Sequence, residues 1–270
     1  MSDTHIDRLL DIMERLRDPE SGCPWDLKQT FRSVAPYTLE EAFEVVEAIE
    51  GGDPAELQDE LGDLLFQVVF HARMAQERAE FDFANVVRGI CDKMIRRHPH
   101  VFGDVEHADE GALRAAWEGQ KQRERADRRG GQGSLMEGVA KALPALVRAD
   151  KLQRRAARAA FDWQRPEPVM EKIREELAEC ARAMESNAGH PALEEEIGDL
   201  LFSCVNLARH LRVDAEQALR GANAKFERRF RFVEQGLAQQ GLEPGARVRE
   251  RMEVLWEASK QADKKEGDDA

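Results

Sequence analysis

The sequence predicts an all-α protein built as a tandem duplication of one helical unit, and three observations carry that prediction. First, landmarks recur in the same order along the chain. LEEAFEVVEAI (39–49) resembles REELAECARAM (174–184), and ELGDLLFQVVFHAR (60–73) resembles EIGDLLFSCVNLAR (196–209). DKMIRRH (92–98) parallels AKFERRF (224–230), AWEGQK (116–121) parallels LWEASK (255–260), and Trp25 has a counterpart in Trp163. The offsets stay close: 135 from Glu41 to Glu176, 136 from Asp63 to Asp199, 132 from Lys93 to Lys225 and 139 from Trp117 to Trp256. A period of this kind is the mark of duplication. Second, apolar residues from Leu57 to Met74 follow helical spacing, and no alternating run of strand type competes. Third, 34% of residues are charged and only 6% aromatic, a balance that fits a soluble helix-rich chain better than a β-sandwich.

The elements follow in order. Residues 1–125 form the first helical domain and 138–262 the second. Between them, 126–137 belongs to a charged, Gly-rich stretch (RERADRRGGQGS, 123–134) without apolar periodicity, which reads as a flexible linker. Residues 263–270 read as a disordered tail. Asp53-Pro54 and His190-Pro191 each place proline where a long helix begins. Asp53 is a favourable N-cap, and proline is tolerated in a first turn because its missing N–H would have no partner there.

Composition narrows the function classes. The chain of 270 residues has a net charge of −13, which argues against broad nucleic-acid binding through phosphate neutralisation. The halves differ: residues 1–135 carry 17 basic and 28 acidic side chains, whereas 136–270 carry 23 and 25. The apolar stretch at Leu64–Phe70 is broken by Gln67 and is far too short to span a bilayer. The N-terminus has no basic region leading into an apolar segment. Cys23, Cys91, Cys180 and Cys204 are scattered without a CxxC pair, which fits free thiols in the cytoplasm.

The most informative element is the second long helix of each copy. With about 100° per residue, Glu60, Asp63, Gln67 and His71 fall in one narrow polar arc, and apolar residues occupy nearly all of the remaining circumference. Glu196, Asp199, Ser203 and Asn206 form the same stripe in the second copy. A helix that is apolar almost all round is expected to be buried. Buried carboxylates must be protonated, paired or bound to metal. The preceding helix supplies Glu41 with Glu44, and Glu176 with Glu179, each pair on one face at i and i+3. Two helices on a short connection pack antiparallel, so the pairs converge as four carboxylates, a ligand set for hard Mg²⁺, with Mn²⁺ as the alternative ion. On its own an ExxE pair is common on solvated helices of so charged a chain. Its recurrence beside ExxD in both copies favours the metal. Glu44 lies almost opposite the apolar face of its own helix, so its inward orientation requires a further neighbour, such as another subunit.

Downstream of each acidic pair stands KxxRR: Lys93, Arg96 and Arg97, then Lys225, Arg228 and Arg229. Alone this is a solvated basic face. Beside a metal–carboxylate cluster it suits a polyphosphate. Neither copy carries the Glu-x-x-His ligands of di-iron bundles. A helical module that senses nucleotide without turnover is the alternative from another class.

These residues closely resemble the MazG family of nucleoside triphosphate pyrophosphohydrolases in its two-repeat form. The likeness is carried by DRLLDIMERLRDPESGCPWD, YTLEEAFEVVEAI, ELGDLLFQVVF and RRHPHVF in the first copy, and by FDW, EELAE, EIGDLLF and NAKFERRF in the second. The resemblance spans about residues 5–260. It implies helical-bundle domains, a homodimer, Mg²⁺ dependence and hydrolysis of (deoxy)nucleoside triphosphates to monophosphate and pyrophosphate, in nucleotide-pool house-cleaning. The family's metal motif falls on Glu175, Glu176, Glu179, Glu196 and Asp199, and on Glu40, Glu41, Glu44, Glu60 and Asp63. Glu175 or Glu176 would act as general base. Nucleotide contacts fall on Lys172, Asn223, Lys225, Arg228, Arg229 and Trp256. One departure separates the copies: Asn223 corresponds to Cys91, which cannot supply the amide, so the second copy is the expected working site.

Overall fold

The computed structural model describes residues 5–103, 119, 134–186 and 189–268, with side chains up to 263. The chain divides into two compact units, Met1–Glu124 and Arg125–Ala270. Every regular element among the described residues is helical.

In the first unit, α1 (His5–Leu16) leads through a short 3-10 turn to α2 (Phe31–Gly51), α3 (Pro54–Glu77), α4 (Phe83–Arg97) and the single turn α5 (Pro99–Phe102). A capping box between Thr30 and Ser33 starts α2. Gly52 ends it at φ 76°, a left-handed conformation that glycine adopts without a Cβ penalty. Asp53 then accepts a 2.8 Å bond from the Ala55 N–H and opens α3, with Pro54 in its first turn as the sequence predicts. Two residues therefore reverse the chain. Thr38 meets His71 across the hairpin at 3.0 Å and Glu41 meets Gln67 at 3.3 Å, so α2 and α3 run antiparallel. The hairpin rests on a core of Met13, Val34, Val69, Phe70 and Met74. Arg17, almost fully buried, forks onto Glu77 at 2.9 and 2.7 Å and ties the end of α1 to the end of α3.

The second unit repeats the hairpin. It contains α6 (Ala145–Arg158), α7 (Pro166–Glu185), α8 (His190–His210), α9 (Ala215–Ala238) and α10 (Arg249–Asp268). Val169, Val205, Val233 and Leu237 are its most buried side chains. Arg209 forks onto Asp162 at 2.9 and 2.5 Å, and His210 adds a contact of 3.1 Å, fixing the loop before α7 to the end of α8. Gly236 lets α10 approach α9 closely: a Cβ there would lie 2.6 Å from Leu255. The last helix continues to Asp268, past residue 263, where the sequence suggests a tail. Of the expected linker, 126–133 lie outside the described residues, and 134–137 are held as a turn by the buried Arg155, which donates to the carbonyls of Leu135 and Glu137.

One expectation needs correction. The helices carrying the acidic stripes are not buried all round within the chain. Leu61 is 49% exposed and Leu65 41% in α3, while Ile197 is 49% and Leu201 52% in α8. A helical wheel records which arcs are apolar, but a partner helix covers only one arc. Among the described residues, no element covers the remainder.

Candidate metal centre

The α7–α8 hairpin brings carboxylates together. Glu176, Glu179 and Glu196 each offer an oxygen within 4.8 Å of the others, with Glu176 buried and the other two half-buried. Helix periodicity puts Glu176 and Glu179 on one face of α7, and the antiparallel turn brings Glu196, in the second turn of α8, alongside them. Asp199 is exposed and stands outside the trio, yet its charge acts on Glu196. Burial pushes the Glu196 carboxyl above the usual range, and repulsion from Glu179 and Glu176 pushes it further.

Cations already lean on this cluster. Lys172 Nζ lies 2.8 Å from Glu175 Oε1 and 2.8 Å from Glu176 Oε1, and Arg182 reaches Glu179 at 3.1 Å. The bonds to Glu175 and then Glu176 raise the lysine well above its ordinary pKa, so it stays charged. Glu175 itself is exposed and outside the trio.

The first hairpin makes a trio of its own from Glu41, Glu60 and Asp63, again within 4.8 Å, with Asp63 rather than the counterpart of Glu179 as its third member. Glu44 is exposed and outside it, in line with its position on the wheel. Burial raises the Glu41 carboxyl, and a hydrogen bond with Glu44 and the charge of Asp63 add to the shift. Burial also raises Glu60, followed by repulsion from Glu44 and Asp63. The neighbour of Glu41 is a neutral amide: Gln67 donates through Nε2, and its buried Oε1 has no partner.

Both trios are all-oxygen sets of acidic groups on rigid helices, and that chemistry fits a hard divalent cation. Burial first, and then the neighbouring acids, raise Glu41, Glu60 and Glu196, and a cation among the carboxylates would offset both.

The basic residues gather elsewhere in the second unit. Arg229 donates to Asp263 at 2.6 Å and Arg228 at 3.4 Å, and these bonds, Arg229 first, hold Asp263 below the usual carboxylate range. Asn223 and Lys225 are exposed on α9. Trp256 is half-buried with its ring 5.3 Å from that of Phe226. Among the described residues no hydrogen bond or ion pair joins this group to the carboxylates. In the first unit, Lys93 and Arg97 are half-buried and Arg96 exposed, Cys91 is exposed on α4, and Trp117 lies outside the described residues.

Sequence reasoning missed Asp263, which it assigned to a tail; its spacing from Arg229 carries no pattern because the two lie on different helices. It also gave Gln67 and Arg182 no role, although both fall one turn from acidic-motif residues.

Comparison with known proteins agrees with the repeat. The family model of the MazG nucleotide pyrophosphohydrolase domain matches residues 29–102 and 164–233. A nucleoside triphosphate pyrophosphohydrolase of Escherichia coli K12 is 52% identical over 256 residues, covering 94% of this chain and 97% of that protein. The nucleoside triphosphate pyrophosphohydrolase/pyrophosphatase MazG of Thermotoga maritima is 43% identical over 258 residues, 96% of each chain. A crystal structure of a MazG-related protein from Thermotoga maritima aligns with 43% of this chain and 98% of its own, at 28% identity and a TM-score of 0.37.

Proposed function

The chain belongs to the MazG nucleotide pyrophosphohydrolase family, and from that premise we propose that it cleaves nucleoside triphosphates at the carboxylate cluster of its second repeat. The enzyme is a nucleoside triphosphate pyrophosphohydrolase, yielding monophosphate and pyrophosphate. The observation that carries the assignment to the second repeat is the trio Glu176, Glu179 and Glu196 with Lys172 beside it.

Glu176, Glu179, Glu196 and Asp199 would hold Mg²⁺, or Mn²⁺ in its place. Bound there, the ion supplies charge neutralisation on the triphosphate and an acidified water. Glu175, outside the trio and exposed, takes the proton as the water oxygen attacks the α-phosphorus, with Glu176 as the alternative base. The bond from the α-phosphorus to the bridging oxygen breaks, and pyrophosphate leaves with the electron pair. Lys172, Lys225, Arg228 and Arg229 neutralise the β- and γ-phosphates, while Asn223 and Trp256 position the nucleotide. Arg228 and Arg229 exchange Asp263 for phosphate in this reading.

A homodimer would cover the apolar arcs of α3 and α8 on which Leu61, Leu65, Ile197 and Leu201 stand exposed. No helix among the described residues is long and apolar enough to cross a membrane, and the free cysteines suit a reducing cytoplasm. Nucleotide-pool house-cleaning, with no nucleic acid as substrate, is the role this chemistry serves. The first repeat, with Cys91 where the second has Asn223, binds a cation without matching turnover.

Incubation of the purified chain with a nucleotide panel and Mg²⁺ tests the reading. Monophosphate and pyrophosphate are expected, with loss of both on chelation. Diphosphate and orthophosphate would mean that a different bond is cut.

A further inference from the structure

We propose that Lys172 is a resident counterion of the second carboxylate cluster, displaced when a divalent cation enters, so that cation and triphosphate binding are coupled through this one side chain. The inference rests on the reading that Glu176, Glu179 and Glu196 hold a divalent cation.

The lysine Nζ sits 2.8 Å from Glu175 Oε1 and 2.8 Å from Glu176 Oε1. Glu176 is only 4% exposed, and a charge so far out of water requires a partner. Lys172 provides it from one turn earlier on the same helix, so the pairing is fixed by α7 itself. The same carboxylate also belongs to the trio that converges within 4.8 Å. An ammonium and a divalent cation cannot both crowd this carboxylate without strong repulsion.

The side chain has the means to leave. It is 34% exposed, flexible, and carries three donors that suit a phosphate oxygen as well as a carboxylate. Displaced from Glu176, its charge is only partly met by Glu175, and an anionic phosphate bound at the cluster completes its coordination. Coupling of this kind is reciprocal: triphosphate that captures Lys172 tightens the cation, and the cation frees Lys172 for triphosphate. Among the described residues the first repeat shows no lysine paired with its cluster. Tyr37 stands at the position equivalent to Lys172, and Glu41 is met by the neutral Gln67 amide.

The test uses the full chain with the first cluster removed by Glu41→Gln and Glu60→Gln, and Mn²⁺ as the probe, its affinity read by electron paramagnetic resonance. Titrations are run with and without a triphosphate analogue that resists α,β cleavage. Lys172→Met is expected to bind Mn²⁺ alone roughly tenfold more tightly than the parent, and to lose most of the gain that the analogue gives the parent. Lys172→Arg, which keeps the charge, should retain both parental properties. Lys172→Gln serves as the second neutral variant, with helicity checked by circular dichroism. Equal or weaker Mn²⁺ binding by the neutral variants overturns the counterion role while leaving the cation site intact. Absence of Mn²⁺ binding by the parent overturns the cation site itself, and the counterion role with it.

Discussion

Each repeat gathers three carboxylates on its hairpin, two of them equivalent (Glu41 with Glu176, Glu60 with Glu196) and the third different (Asp63 in the first, Glu179 in the second), and the two surround them with different company. In the second, the buried Glu176 has Lys172 and Glu179 has Arg182. At the equivalent places the first repeat has Tyr37 and Glu47, and Glu41 meets the neutral amide of Gln67 and the acid Glu44. The backbone geometry is nearly conserved because it follows from helix spacing and a short reversal. The electrostatics are free to diverge because they depend on single side chains one turn away. Duplication has thus kept two acidic clusters and placed positively charged side chains beside one of them.

The largest expected effect separates the repeats directly. Glu176→Gln should lower pyrophosphate release by about a hundredfold or more, since even groups that merely support a metal ligand are worth 10–100-fold. Glu41→Gln should change it by less than about threefold on the same scale. A greater loss from Glu41→Gln would reverse the assignment of the working site. A smaller effect is expected from exchanging the residues that distinguish the two helices downstream. Asn223→Cys should cost roughly tenfold in kcat/KM, the worth of one hydrogen bond to a charged group, whereas Cys91→Asn should do little.

The smallest effect is on stability. Glu41 and Glu60 in the first repeat and Glu196 in the second bind a proton more readily folded than unfolded, because burial and neighbouring acids raise them. Stability from these groups therefore falls as pH rises through their folded-state values, and returns as pH drops toward the ordinary carboxylate range. With a chelator present, Tm should fall as pH rises out of the ordinary carboxylate range, and Mg²⁺ should remove much of the fall. Gln at 41 and 60 should flatten the profile more than Gln at 196, since the first repeat holds two such groups. Scanning calorimetry of the variants would show the order, and a steeper response from position 196 would contradict it.

Much of this was legible along the chain. The repeat, the helical class, the Asp53–Pro54 start of α3 and the pairing of Glu41 with Glu60 or Glu176 with Glu196 follow from local spacing and from a reversal too short to allow another arrangement. The exposure of Glu44 was readable from its wheel position. The role of Asp263 was not, because Arg229 reaches it from another helix 34 residues away and sequence records no such proximity. Nor was the open side of α3 and α8, since burial depends on what packs against an apolar arc.

The sequence by itself thus determined the duplicated helices and which acids share a face, because 3.6 residues per turn and the chemistry of caps are local rules. Only the tertiary structure decided which acid is buried and which arginines are engaged by Asp263. Those outcomes depend on distances between side chains of different turns and helices, where a few ångströms separate a paired charge from a free one.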